Sequence, residues 1–115
     1  QCDALLLRNR QLRNTRGGYW ILDPSGDGIP HARVLRWRRE EVESLSAFSD
    51  GFAQLSAPFR IYPDYGKIHD QMPQTSLQAL LEQVYTAQEA DPDGNCFPRL
   101  KFRDDACALW AQVTP

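Results

Sequence analysis

The sequence predicts a soluble globular domain of the α+β class. Its 115 residues correspond to one domain, and 42% apolar with 24% charged residues is an ordinary globular composition. One strongly periodic helix lies between two regions that are rich in strand-like segments. Because the helix does not alternate with the strands, an α+β arrangement is favoured over an alternating α/β one.

The helix carries the clearest pattern. Its apolar side chains recur at intervals of three and four residues, which forms one helical stripe: Leu77, Leu80, Leu81, Val84 and Tyr85. Thr75 and Gln78 have the spacing of a capping box at its start. Pro92 disfavours helix at the residue before it, so the helix is expected to end near Ala90.

The remaining elements are predicted from shorter runs. Apolar, aromatic or β-branched segments bounded by turn residues predict strands. These strands cover residues 4–8, 11–13, 19–22, 33–37, 42–49, 100–102 and 106–113. A short helix is expected near 52–55, and residues 57–73, with three prolines, are expected to be irregular.

Charge argues against two classes of partner. The formal net charge is −2, which gives no general attraction to nucleic acid or to a membrane surface. The local basic cluster of residues 33–39 is followed at once by Glu40, Glu41 and Glu43, as in a solvated mixed-charge edge. No stretch of 18 apolar residues suggests a membrane span. Neither a nucleic-acid nor a membrane partner is therefore expected.

The cysteines suggest a reducing compartment. Cys2, Cys96 and Cys107 are odd in number and have no zinc-site spacing. Free cysteines of this kind are typical of cytoplasmic proteins. Cys107 lies in an apolar run and is expected to be a small buried side chain.

Two further patterns could indicate a calcium site or a catalytic site. The segment Asp23–Ile29, DPSGDGI, resembles the start of a calcium loop, but position 12 holds Val34 rather than glutamate, so a polar turn is the preferred interpretation. His31 and His69 have no partner at ligand spacing. A histidine-based catalytic pair could form only through the fold, and surface or structural roles are preferred.

The third pattern is a set of carboxylates at predicted strand ends. Asp50 follows an apolar run, and Asp104 and Asp105 precede another. Carboxylates brought together from neighbouring strands repel each other unless a cation lies between them, and Mg²⁺ and Mn²⁺ prefer such oxygen ligands. The competing interpretation is that Asp-Gly is a turn and Asp-Asp is solvated.

Taken together, these segments resemble the C-terminal part of a bacterial metal-dependent protein phosphatase of the 2C type. Relatives carry a Ser-Asp-Gly at a strand end and an Asp pair before the last strand, which residues 49–51 and 104–109 match. Further similar segments are Arg8-Asn9-Arg10, Gly17-Gly18-Tyr19-Trp20, Glu89-Ala90-Asp91, and the basic residues Lys101 and Arg103. The resemblance covers essentially the whole chain, and it agrees in both order and spacing.

The resemblance implies a fold, a reaction and a set of ligands. The fold would be part of a four-layer α-β-β-α sandwich of antiparallel sheets flanked by helices. Two Mn²⁺ or Mg²⁺ ions would carry a hydroxide that hydrolyses phosphoserine or phosphothreonine on a protein substrate. Asp50 and Asp104 would be metal ligands, with Asp105 as a third candidate, although many relatives have asparagine there. Asp50 would then be a buried carboxylate balanced by the cation, and no side chain would act as a covalent nucleophile.

The chain also departs from this family pattern. The Asp-Gly-His-Gly motif and the phosphate-binding arginine of the family's first half are not in the sequence, and Gln1 stands where an aspartate would precede Cys2. Residues 1–115 are therefore expected to be the C-terminal portion of a larger phosphatase-like domain. Such a portion would leave apolar surface uncovered, so we expect it to pair with the missing half or to self-associate.

Two other functions stay open. One is a catalytically inactive phosphatase-like domain that binds a partner or a phosphorylated segment, which the missing motifs favour. The other is an unrelated α+β interaction domain, in which Asp50 and Asp104 are turn residues. This second alternative predicts that the two carboxylates lie far apart.

Overall fold

The computed structural model describes the backbone of residues 2–114 and the side chains of residues 4–114. The chain divides into two compact units, the first ending at Arg36 and the second starting at Trp37. The prediction that residues 1–115 belong to a single domain stays a prediction, and the expectation made for Gln1 lies outside the described residues.

The first unit begins with a helix where a strand was predicted. Helix α1 covers Cys2–Gln11, so the predictions of strands at 4–8 and 11–13 were wrong. Alanine, leucine, arginine and glutamine are strong helix formers, and this segment contains no β-branched residue. The apolar run is not buried, because Leu5 and Leu7 are more than half exposed.

The rest of the first unit consists of loops, turns and a short 3₁₀ helix at Ile29–His31. The strands predicted at 19–22 and 33–37 do not form; Tyr19 makes only an isolated bridge to Arg13. The preferred interpretation of residues 23–29 as a polar turn is confirmed, because Asp23 Oδ1 accepts hydrogen bonds from the Ser25 amide and hydroxyl. Hydrogen bonding by the Ser25 hydroxyl is the main cause of the lowered pKa of Asp23. His31 stacks on Trp20 with the ring centroids 3.5 Å apart.

The second unit contains a two-stranded antiparallel sheet. Strand β1 covers Ser44–Phe48 and β2 covers Ala108–Gln112, with Ser46 opposite Trp110. Two of the predicted strands are thus confirmed in position, though both are shorter than expected. The strand predicted at 100–102 does not form. Two strands with a free face are marginal by themselves, so the sheet depends on the helices packed against it.

Three helices accompany the sheet. Helix α2 covers Asp50–Ala53, α3 covers Tyr65–Gln71 and α4 covers Leu77–Ala90. The end of α4 at Ala90 confirms the prediction. The core consists of buried apolar side chains, namely Phe52, Leu55, Phe59, Ile68, Met72, Leu80 and Val84. Leu80 and Val84 come from the stripe that the periodicity predicted.

The cap of α4 differs from the predicted one. The side chain of Ser76, and not that of Thr75, accepts a hydrogen bond from the Ala79 amide at 3.0 Å. The helix therefore begins one residue later than the Thr75–Gln78 spacing suggested.

Replacing the observed cap should weaken α4 measurably. We expect Ser76→Ala to lower the free energy of unfolding by about 1 kcal/mol, because an amide in the first turn loses its acceptor. Thr75→Ala is the matched control and should change it by less than half as much. Urea unfolding followed by circular dichroism measures both variants. A larger effect at Thr75 would contradict the observed cap.

The two faces of the sheet have different environments. The side chains of Phe48, Ala108 and Trp110 pack against the core, while Leu45 and Leu109 are about half exposed on the other face. Cys107 lies on this outer side and is exposed, so the prediction that it is buried was wrong. The alternation of side chains along a strand decides this, because Cys107 is one residue out of phase with Ala108.

In coarse terms the α+β prediction is confirmed, since the described residues form helices and an antiparallel sheet. Within residues 2–114, none of the helices combines the length and the hydropathy needed to cross a bilayer.

Candidate functional site

The segment that joins β1 to α2 contacts the segment that precedes β2. The Ser49 amide donates to the Cys107 carbonyl at 3.0 Å, and the Cys107 amide donates to Ser49 Oγ at 3.0 Å. Ser49 Oγ in turn donates to the Asp105 carbonyl at 3.2 Å. The Ser-Asp-Gly and Asp-Asp segments are therefore held side by side, although they are more than 50 residues apart in the sequence.

A glycine makes this close approach possible. A Cβ atom added to Gly51 would overlap the carbonyl oxygen of Asp105 and would lie only 2.9 Å from its carbonyl carbon. It would also lie 3.2 Å from the Asp104 carbonyl oxygen. These are backbone atoms, which cannot rotate away as a flexible side chain could. The glycine of the Ser-Asp-Gly motif is thus required by packing and not only by a turn.

One of the candidate carboxylates contacts a lysine. Lys101 Nζ forms an ion pair with Asp104 Oδ1 at 2.5 Å. The hydrogen bond from Lys101 is the main cause of the lowered pKa of Asp104. The same bond is the main cause of the raised pKa of Lys101, to which the charges of Asp104, Asp105 and Asp50 add. The three predicted site residues therefore share one electrostatic environment.

Asp50 does not have the burial that was expected. Its side chain is exposed in the first turn of α2, and its Oδ1 accepts a hydrogen bond from the Gly51 amide at 3.0 Å. The prediction that Asp50 is buried at a strand end was wrong, because the strand already ends at Phe48 and a helix begins at Asp50. Its carboxylate therefore needs no cation to offset a burial cost. A first-turn position is itself favourable for a negative charge.

The metal site predicted from these residues is incomplete within the described part of the chain. Carboxylate oxygens are suitable donors for Mg²⁺ or Mn²⁺. However, among residues 2–114 no group of three or more histidine, cysteine, aspartate or glutamate side chains is placed to hold a metal ion. Asp50, Asp104 and Asp105 can supply part of a coordination shell, and further ligands would have to come from elsewhere.

Other residues of the resemblance form ion pairs nearby. Arg103 binds Glu89 Oε1 at 2.6 Å, with both side chains largely exposed. Asp91 binds Arg99 at 3.0 Å, and both side chains are only 8% exposed. Asp91 also accepts hydrogen bonds from the Cys96 and Phe97 amides. The buried pair anchors the segment that leads from α4 towards the Asp104–Asp105 pair, so its role is to hold that segment in place.

One arrangement was missed by the sequence analysis. His69 lies between Ser44 and Ser46, with each ring nitrogen 2.9 Å from one serine oxygen. The two serines are two residues apart on β1 and therefore share a face of the sheet. The spacing of the two serines was visible in the sequence. The position of His69 beside them was not, because α3 begins 17 residues after β1 ends.

The comparisons with known proteins identify no relative: no family model, no curated protein and no solved structure matches the chain.

Proposed function

We propose that this chain is the C-terminal portion of a metal-dependent serine/threonine protein phosphatase of the 2C type. The supporting observation is the contact between Ser49-Asp50-Gly51 and Asp104-Asp105, which Ser49 and Gly51 hold together through backbone contacts. These are the two segments that carry metal ligands in the family that the sequence resembles. The contact continues the antiparallel pairing of β1 with β2, and the close packing of the Asp105 carbonyl against Gly51 is the part that depends on the glycine of the motif.

Within this proposal, the residues of the chain bind and position the metal ions. Asp50 and Asp104 would hold two Mn²⁺ or Mg²⁺ ions together with ligands from a companion segment. When bound, the ions would supply an activated water and positive charge towards the phosphoryl group. Lys101 pairs with the Asp104 carboxylate and would orient it as a ligand. The substrate would be a phosphoserine or phosphothreonine side chain of a protein.

The proposal extends to the setting of the domain. Residues 1–115 would belong to a larger four-layer sandwich, and the exposed apolar face around Leu45 and Leu109 would be covered by the other sheet. By itself the chain would self-associate or remain inactive. Cys96 and Cys107, which are exposed free thiols, support a cytoplasmic location.

The test combines metal binding with turnover. Binding of Mn²⁺ to the chain is followed by electron paramagnetic resonance, and hydrolysis of p-nitrophenyl phosphate is measured with the natural polypeptide that contains the chain. We expect Asp50→Asn and Asp104→Asn each to weaken Mn²⁺ binding and to lower turnover at least tenfold, because each removes a carboxylate ligand. Asp93→Asn is the matched control, since Asp93 lies in an exposed turn outside the cluster. Equal binding and turnover in all four proteins would refute the proposal.

A second candidate is a catalytically inactive phosphatase-like domain that binds a phosphorylated partner. The ion pair of Lys101 with Asp104 favours it, because an ammonium group already balances the carboxylates without a metal ion. This candidate predicts no Mn²⁺-dependent turnover in the natural polypeptide, together with retained binding of a phosphorylated protein. Turnover that is lost in Asp50→Asn would exclude it.

A further inference from the structure

A histidine on α3 contacts two serines of β1. His69 Nε2 lies 2.9 Å from Ser44 Oγ, and His69 Nδ1 lies 2.9 Å from Ser46 Oγ. All three side chains are partly buried. A hydroxyl within hydrogen-bond distance of an imidazole whose second nitrogen is held by another group is the arrangement that activates a serine nucleophile.

Regular secondary structure fixes both sides of this cluster. Ser44 and Ser46 belong to a paired strand, opposite Gln112 and Trp110. Helix α3 is held at its start by Asp64, whose Oδ1 accepts from the Lys67 amide at 2.8 Å. It is held along its length by Ile68, which is completely buried. Groups carried on packed elements keep their relative geometry better than groups on loops.

We propose that Ser44 is a reactive nucleophile, with His69 as its general base and Ser46 as a positioning residue. In the neutral tautomer protonated on Nδ1, the imidazole donates to Ser46 Oγ and accepts from the Ser44 hydroxyl through Nε2. This leaves the basic nitrogen directed at Ser44. The proposed site is separate from the carboxylates around Lys101, and its activity does not depend on a metal ion.

The substrate class is a small carboxylic ester. Ser44 Oγ attacks the carbonyl carbon while its proton passes to His69 Nε2; the carbon–oxygen bond to the alcohol then breaks, and the alcohol leaves with that proton. Water releases the acyl group from Ser44 in the same way, with His69 again as the base. The products are the carboxylic acid and the alcohol, so the reaction needs no further reactant.

The surroundings favour Ser44 over Ser46 as the nucleophile. Gln112, the partner of Ser44, lines an open cleft of about 530 Å³ together with Glu43, which precedes Ser44. Ser46 instead lies in the middle of the strand, opposite Trp110. Trp110 packs against the core, whereas the neighbours of Ser44 line the cleft.

The test uses a fluorophosphonate probe on the intact chain. Ser44 Oγ would form a bond to phosphorus, fluoride would leave, and the proton would pass to His69. We expect one adduct per folded chain, mapped to Ser44 by tandem mass spectrometry, and no selective adduct on the urea-unfolded chain. This measurement on the unmodified chain does not depend on the folding of any variant. An absent adduct, or an adduct spread equally over the serines, would overturn the proposal.

Variants then assign the roles. We expect His69→Gln to slow labelling about 100-fold, which is the usual contribution of a general base. Ser46→Ala should slow the labelling of Ser44 less than His69→Gln does. Ser46→Thr should restore the original labelling rate, because threonine retains the hydroxyl. Ser56→Ala is the control, since Ser56 is a partly buried serine outside this cluster, and it should label at the original rate. A purely structural cluster would give unchanged labelling in His69→Gln, and that result would also refute the proposal.

Discussion

Gly51→Ala is expected to break the contact between the Ser-Asp-Gly and Asp-Asp segments. The added methyl group would overlap the Asp105 carbonyl and lie 2.9 Å from its carbon. Neither the new Cβ atom nor the Asp105 carbonyl can rotate away, because the backbone fixes both positions. The two segments must therefore move apart, which strains the hydrogen bonds of Ser49 to residues 105 and 107. We expect a loss of about 3 kcal/mol in the free energy of unfolding, at the upper end of the cost of overpacking.

Hydrogen exchange locates this effect. The amides of Ser49 and Cys107, which are bonded across the contact, should lose protection in Gly51→Ala. Gly66→Ala provides the comparison, because its added Cβ would meet only the carboxylate end of the Asp64 side chain, at 3.1 Å. Its stability should change much less. Unchanged protection in Gly51→Ala would show that the two segments are not in contact.

Arg99→Ala should lower the free energy of unfolding by an amount similar to that for Gly51→Ala, but for a different reason. The guanidinium binds the Asp91 carboxylate and also donates to four backbone carbonyls, those of Gln88, Asp91, Phe97 and Phe102. Its removal leaves the Asp91 carboxylate buried without its cation. Removing one partner of a buried pair typically costs about 3 kcal/mol. Arg99→Lys should rescue little, because an ammonium cannot make the same forked set of bonds.

Thermal unfolding with a surface control measures this prediction. Lys67 pairs with Asp70, but both side chains are more than half exposed. Solvent screens such a pair, so Lys67→Ala should leave the unfolding temperature close to its original value. An Arg99→Ala protein as stable as Lys67→Ala would contradict a structural role for the buried pair.

The same pair should make stability depend on pH. Hydrogen bonds from the Cys96 amide, then the Phe97 amide and Arg99, lower the pKa of Asp91, and they outweigh the opposing effect of burial. A carboxyl group whose pKa is lower in the folded state stabilises the fold above its unfolded pKa, near 3.9. That contribution is lost as the pH falls through the lower, folded pKa. The decrease in the free energy of unfolding below about pH 4 should therefore be smaller in Asp91→Asn than in the unmodified chain. Urea titrations at a series of pH values measure this difference.

Elements with a strong local signal could be predicted from the sequence. The apolar stripe predicted α4 and its buried residues Leu80 and Val84, and Pro92 predicted its end. The two runs that became β1 and β2 were also found. A repeating pattern identifies such elements because a helix or strand must present one apolar face to the core. The role of Asp50 and Asp104 as metal ligands, which their motifs suggested, stays a prediction.

Other features depend on packing or on a signal that the strand prediction overlooked. The helix over residues 2–11 is of the second kind, because the segment is rich in helix formers and has no β-branched residue. Asp50 is exposed because the chain turns into α2 directly after Phe48. The bonds of His69 to Ser44 and Ser46, and of Arg99 to Asp91, join residues whose separation in sequence has no repeating pattern. Their formation depends on how the elements pack, and composition and periodicity carry no information about that packing.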